Sequence, residues 1–289
     1  MTIADDMMLL DGAAEPDSRL TSIGGGDLFA YTARAPDKAS DNEDTVAAVP
    51  WGPDACVLVI ADGAGGLPAG KRASSLAVAE LARSLAVSLD KTMLLRTAVL
   101  NGIEAANDAV RSQVAGSATT LTVVTVEGRL ARSYQVGDSE ALIVGQRGRI
   151  RLQTLAHSPT GFAVEAGFLN HRDALHHAER HLVSNFVGTD DMRIDVGPAV
   201  TLKPRDTILV ASDGLTDNLH LDEVIDRVRC GPLDNAGKTL ISLASRRMGD
   251  SQSSMPSKPD DLSVLLFRKP PRRAARRGRG TVSPEPPDA

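Results

Sequence analysis

The chain has 289 residues and a net charge of −5, with 42% hydrophobic residues, enough for one large core or two small ones built mainly from Val, Leu, Ile and Ala, because aromatics are only 3%. Two cysteines, Cys56 and Cys230, exclude a disulfide framework and any Cys-x-x-Cys zinc pair, so a reducing, cytoplasmic setting is expected. The start MTIADDMMLL lacks the form of a signal peptide, and no apolar run reaches the roughly 20 residues of a membrane span.

Residues 1–26 show little periodicity and close on Gly24-Gly25-Gly26, which predicts a mobile leader. Residues 27–267 then alternate β-rich runs with helical stretches. Glu43-Asp44, in SDNEDTVAAV, sits where an N-terminal strand begins, and Val57–Ala61 follows as a second strand. Ala73, Ala77, Leu81, Leu85 and Leu89 recur every fourth residue and predict a long helix. Leu95, Val99, Ile103, Ala106, Val110 and Val114 predict another. Strands are expected at Leu121–Val126, Leu130–Val136, Ala141–Val144, Arg149–Leu152, Ile208–Ala211 and Leu262–Phe267. Between the last two, a short helix capped by Asp222 and a longer one over Ala236–Met248 are expected, then a loop over Gly249–Pro259. Hairpin-like strands mixed with helix pairs predict an α+β layered domain, not a regular βαβ alternation.

Residues 268–289 carry seven Lys/Arg and two Asp/Glu, leaving 25 Lys/Arg against 35 Asp/Glu in the rest. The acidic body therefore lacks the electrostatics of a nucleic-acid binder. The basic, Pro/Gly-rich tail has too few apolar residues to offset the entropy of ordering, and it is expected to be disordered. Its charge suits an acidic partner or simply aids solubility.

Several carboxylates share one context, the edge of a predicted strand. Asp62 ends VLVIADGAGG, Asp138 ends the run in YQVGDSEALIV, Asp213 ends TILVASDGLTD, and Asp260-Asp261 open PDDLSVLLF. Singly, each is better explained as a turn cap. Converging, they would repel one another, and a divalent cation would relieve that penalty. All-oxygen donors without clustered Cys or His favour Mg²⁺ or Mn²⁺ over zinc.

These segments, with the Thr119-Thr120 pair between them, fall in the order seen in the PPM family, protein phosphatase type 2C, which the chain resembles over roughly residues 27–267. The resemblance implies a four-layer α-β-β-α sandwich of two mainly antiparallel sheets flanked by helix pairs, with a binuclear metal site at one edge. It implies a bacterial-like Ser/Thr protein phosphatase acting on phosphoproteins, with a Ser/Thr kinase or its substrates as partners. Asp62 would bridge two Mn²⁺ or Mg²⁺ ions. The Gly63 carbonyl and Asp44 would serve one ion, Asp213 and Asp260 the other, and Asp138 with Asp213 a weaker third. A bridging water would attack phosphorus, with Asp62 and Asp213 the central catalytic carboxylates.

Four positions depart from the family pattern. Ala39 stands where many members have a phosphate-clamping Arg, which makes Lys38 the candidate phosphate-binding cation and Arg34 a weaker one. Ala118, Glu140 and Ala156 replace the usual Gly, Arg and Asp. The losses bear on substrate more than on metal, so a phosphatase-like binding module with little turnover is the alternative.

Rival chemistries fit less well. Gly65–Lys71 matches half a P-loop, but Arg72 stands where a hydroxyl must follow and Pro68 removes a backbone N–H. Neither a Cys-x5-Arg nor a Gly-x-Ser-x-Gly motif is present. The histidines of NHRDALHHAERH read as a solvated segment, with His177 or His157 the candidates for a general acid.

Overall fold

The computed structural model describes residues 7–12, 15–64, 69–250 and 254–271. In chain order its first elements are β1 (Met8–Leu10), β2 (Asp17–Ile23), β3 (Gly26–Ala33), β4 (Asp44–Pro50) and β5 (Ala55–Asp62), then helices α1 (Gly70–Asp90) and α2 (Leu95–Gln113). β6 (Leu121–Glu127), β7 (Leu130–Val136), β8 (Glu140–Val144) and β9 (Ile150–Gln153) follow, then the short helices α3 (Pro159–Glu165) and α4 (His171–Ala174). The last part holds β10 (Asp195–Val196), β11 (Val200–Thr201), β12 (Thr207–Ala211), α5 (Asp213–Thr216), α6 (Leu221–Val228), α7 (Leu233–Met248) and β13 (Leu262–Arg268).

The strands form two sheets. One runs β1-β4-β5-β6-β7-β10, with β11 also on β7, and the other runs β2-β3-β13-β12-β8-β9. Every pair of named strands among the described residues is antiparallel. The period of two along β5 explains the layering. Val57, Val59 and Ala61 face α1 and α2, where they meet Ala73, Ala77, Leu81 and Leu85. Leu58 and Ile60 point the other way and meet Leu28, Ile208, Leu265 and Phe267 of the second sheet. A third core packs Leu209, Ala211, Val264 and Leu266 against Leu215, Val224 and Leu240 of the helices α5–α7. The result is the expected α-β-β-α order. Because the central strands are covered on both faces, their sequences are continuously apolar rather than alternating. Each fully buried Leu contributes about 1.5–3 kcal/mol of apolar transfer.

The expectation of a mobile leader over residues 1–26 is corrected for its described part, residues 1–6 and 13–14 lying outside the described residues. β1 pairs with β4 and β2 pairs with β3 along its whole length. Both are edge strands, and β2 exposes most of its side chains, so its pairing rests on backbone hydrogen bonds that leave no apolar pattern to read. The triple glycine is a hairpin. Ile23 pairs with Gly26, and Gly24 and Gly25 have φ of 54° and 70°, the positive values that a two-residue type I′ turn requires. At the other end β13 runs to Arg268, and the buried Lys269 pairs with Asp54, so the ordered chain extends past the expected boundary. The basic tail from residue 272 lies outside the described residues.

Two helix starts also shift. His220, not Asp222, precedes α6, and the Glu223 carboxylate accepts the His220 backbone N–H at 3.0 Å. α7 begins at Leu233 after Pro232, since Pro at a helix start forfeits no needed donor. Among the described residues no helix is long and apolar enough to cross a membrane.

Candidate metal centre

The carboxylates gather where the strand ends of both sheets meet. Asp44 opens β4 and Asp62 closes β5, and the two are direct cross-strand partners. Asp138 lies in the turn from β7 to β8 and is buried. Asp213 is the first residue of α5, separated from the end of β12 only by Ser212, and Asp260 precedes β13, the neighbour of β12. Gly214 lets these last two approach: a Cβ there would lie 1.9 Å from the Asp261 carbonyl oxygen.

Asp62 stands at the electrostatic centre. Burial pushes its carboxyl well above the ordinary range, and the charges of Asp44, Asp213, Asp260 and Asp138 push in the same direction. Its backbone is fixed by the threonine pair: the Asp62 N–H donates to Thr120 Oγ1 at 3.0 Å, and its carbonyl accepts from Thr120 N and Thr119 Oγ1, both at 2.8 Å. Gly63 continues this arrangement through a bridge to Thr119 and an N–H bond to the Glu43 carbonyl at 3.2 Å.

Asp44 is fully buried, and neither of its carboxylate oxygens has a hydrogen-bond partner. Burial first, then the charges of Asp261 and Asp260, raise its pKa to about 8, while the nearby Ser263 and Ser212 hydroxyls oppose the shift. Asp138 is raised well above its usual value by burial and by Asp213 and Asp217. Asp260 is raised to about 6 by burial and by Asp213.

Among the described residues no three His, Cys, Asp or Glu side chains form a ready-made metal cluster. Three carboxylates do converge, but on an ammonium. Lys258 Nζ lies 2.5 Å from Asp213 Oδ2, 2.9 Å from Asp217 Oδ2 and 3.1 Å from Asp260 Oδ2. Burial works against that charge, yet the three aspartates hold the Lys258 pKa above its ordinary value. The opposite half, at Asp44, has unpartnered oxygens instead, and Asp213 Oδ1 is likewise buried without a partner. Orphaned carboxylate oxygens in an all-oxygen setting fit a hard divalent cation such as Mg²⁺ or Mn²⁺.

Lys38 is engaged elsewhere. Its Nζ donates to Asp261 Oδ2 at 2.7 Å and Glu43 Oε2 at 2.8 Å. Burial disfavours its charge, but these two partners raise its pKa to about 12. Asp261 also accepts from the backbone N–H groups of Ala35 and Glu43, at 2.8 and 2.6 Å, so it staples the segment before β4. Two of the three ammonium N–H donors of Lys38 are thus taken by carboxylates, which leaves one for a further acceptor such as a phosphate oxygen. The lysine of the half P-loop is engaged elsewhere: Lys71 Nζ pairs with Asp11 Oδ1 at 2.5 Å and donates to Asp44 O at 3.2 Å; residues 65–68 lie outside the described ones.

His157 is buried and fully engaged. Its Nδ1 accepts from Gly137 N and Asn185 Nδ2, at 3.1 and 2.8 Å, which leaves Nε2–H to donate to Asp195 at 3.1 Å. That bonding makes it a structural residue rather than a general acid. His176, His177 and His181, read as solvated, line an open cleft with Arg180 and Lys258. Glu140 lines a separate cavity of about 280 Å³ beside Asp138 and Asp213. Burial raises its carboxyl to about 7, against one 3.3 Å bond from Gln153.

Two charged residues escaped the sequence reading. Asp217 lies four residues after Asp213, a spacing that puts both on one side of a helical turn, and this was a usable signal. Lys258 is the only charged residue between Asp250 and Asp260, but nothing in its local pattern shows where it points.

A family model described as protein phosphatase 2C matches residues 35–240. A putative protein phosphatase 2C-type of Streptococcus pyogenes serotype M6 is 29% identical over 221 residues, covering 73% of this chain and 89% of that protein. The structure of the S. agalactiae serine/threonine phosphatase superposes with a TM-score of 0.68 at 26% identity, over 88% of this chain and 99% of that one. The catalytic domain of the phosphatase PstP, solved with two manganese ions, shares the fold at a TM-score of 0.65 and 23% identity, over 88% and 99% of the two chains.

Proposed function

Because this chain belongs to the protein phosphatase 2C family, we propose that it is a protein-serine/threonine phosphatase that hydrolyses phosphoserine and phosphothreonine with two Mn²⁺ or Mg²⁺ ions. The observation that carries the reading is the position of Asp62, buried among Asp44, Asp138, Asp213 and Asp260, with Lys258 set against Asp213 and Asp260. When bound, the metal ions supply an activated water and screen the phosphoryl oxygens.

The chain's own residues hold and orient. Asp62 would face both ions, with Asp44 and the Gly63 carbonyl on one side and Asp213 and Asp260 on the other. Asp138 and Asp213 would hold a weaker third. Thr119 and Thr120 fix the Asp62 backbone, so its carboxylate need not reorganise when charge enters. Lys38 would bind the substrate phosphate through its remaining ammonium N–H while Glu43 and Asp261 hold the other two. The natural substrates would be cytoplasmic phosphoproteins, including a Ser/Thr kinase or its targets, and the basic tail would suit an acidic partner.

The second reading, a binding module with little turnover, is favoured by one observation: Ala39 stands at the expected arginine position, and the neighbouring Lys38 is engaged by Glu43 and Asp261. Hydrolysis of p-nitrophenyl phosphate and phosphopeptides, titrated with Mn²⁺, separates the two. An active enzyme loses turnover in EDTA and loses about a thousandfold in Asp62→Asn. Full activity in chelator would overturn the metal mechanism. Tight Mn²⁺ binding with turnover near the uncatalysed rate would select the binding module.

A further inference from the structure

The two halves of the acidic edge differ in their counter-charge. Asp44 has no partner for either oxygen, whereas Asp213, Asp217 and Asp260 all face one ammonium within 3.1 Å. We propose that Lys258 is a tethered cation that occupies the second metal locus, so that a second divalent ion enters only by displacing its ammonium. The inference rests on the metal-centre reading above.

Asp213 and Asp260 belong to both arrangements, since they are the carboxylates assigned to the second ion. Lys258 takes Oδ2 of both, while Asp213 Oδ1 has no partner; a divalent ion that draws on either Oδ2 meets the ammonium at ligand distance, where like charges repel strongly in a partly buried site. The ammonium is instead a stand-in that neutralises the cluster while the metal is absent.

The backbone of Lys258 is held by hydrogen bonds, whereas, among the described residues, its ammonium is held only by the three carboxylates. Its N–H donates to Asn218 Oδ1 and its carbonyl accepts from Asn218 Nδ2, both at 2.8 Å, and Asn218 is itself fully buried. The preceding residue is fixed as well, since Ser257 donates to the Arg247 carbonyl and accepts from Arg180. The lysine stem is flexible. Beside it lies the open cleft lined by His176, His177 and His181, which gives the displaced ammonium access to water. Lys258 is thus a positioning residue that sets how much free metal the centre needs, without taking part in the chemistry.

Calorimetric Mn²⁺ titration of the full chain tests this, with Lys258→Gln, Lys258→Arg and Asp62→Asn alongside. The wild type is expected to bind two ions in separated steps. Lys258→Gln should tighten the second step about tenfold and leave the first unchanged, while Lys258→Arg, which keeps the charge, should not tighten it. The melting temperature of Lys258→Gln should fall in EDTA and recover more on Mn²⁺ addition than that of the wild type. Equal second-step affinities in wild type and Lys258→Gln would overturn the inference and leave the metal centre standing. If the wild type binds no more Mn²⁺ than Asp62→Asn, the metal reading falls and takes the inference with it. Should Lys258→Gln fold only with metal, purification in Mn²⁺ and stepwise extraction by a chelator gives the same comparison, with the second ion expected to resist about tenfold more chelator than in the wild type.

Discussion

Asp44 and Asp260 both stand just where a strand begins, on opposite sheets, and burial raises both carboxyls. Asp44, fully buried with no hydrogen bond to either oxygen, is pushed to about 8; Asp260 is less deeply buried and reaches about 6, with Lys258 at 3.1 Å and the Asp261 N–H opposing the shift. The same residue type at matching positions therefore carries different electrostatic stress, and the neighbours decide it. On one half of the edge the Asp44 carboxylate has no hydrogen-bond partner; on the other, Lys258 faces three carboxylates.

The largest expected effect exploits that stress through pH. Asp44, with an ordinary value of 3.8, holds a proton in the folded chain up to about pH 8. The unfolded chain has released that proton well before then, so the native state binds more protons across this window. Stability of the metal-free protein should therefore fall as pH rises from about 4 toward 8, with Glu140, raised to about 7, adding to the slope. Urea melts at several pH values in EDTA measure it, and saturating Mn²⁺ should flatten the dependence. A metal-free protein that gains stability over this range would break the comparison.

A pair of substitutions gives a smaller and more local contrast. At pH 8.5 in EDTA, Asp44→Asn should raise stability by about 1–3 kcal/mol, because it removes a buried charge without a partner. Asp260→Asn should give no such gain, since it strips Lys258 of one of its three carboxylates. Denaturant midpoints distinguish the two, and equal gains would mean that Lys258 does not compensate its half.

The smallest effect concerns Lys38. Its partners Glu43 and Asp261 make it a brace for the segment before β4. Lys38→Ala should cost about 1 kcal/mol of stability, consistent with a partly exposed ion pair. If the brace is its main role, the KM for a small phosphate ester should change less than about threefold, below the loss expected for removing a charged hydrogen bond to substrate. A large rise in KM with stability unchanged would restore the phosphate clamp.

Much of the fold was legible because the central strands and long helices bury side chains with a clear period. Val57 through Ala61 and the Leu81–Leu85 stripe are examples. β2 was not legible, because an exposed edge strand is held by backbone bonds that any sequence can make. The acidic positions at strand ends could be read one by one, and their order suggested a common site. Their differing charge states could not be read.

What the sequence determined by itself was therefore the layered core, the family resemblance and the set of aspartates at strand termini. These follow from local periodicity and from residue types beside glycine turns. Only the tertiary structure decided that Asp44 is left without a partner while Lys258, 45 residues beyond Asp213, enters the other half, and that Lys38 is held by Asp261. Such pairings join segments far apart in the chain. Their strength depends on burial and on distances of a few ångströms, which no local pattern encodes.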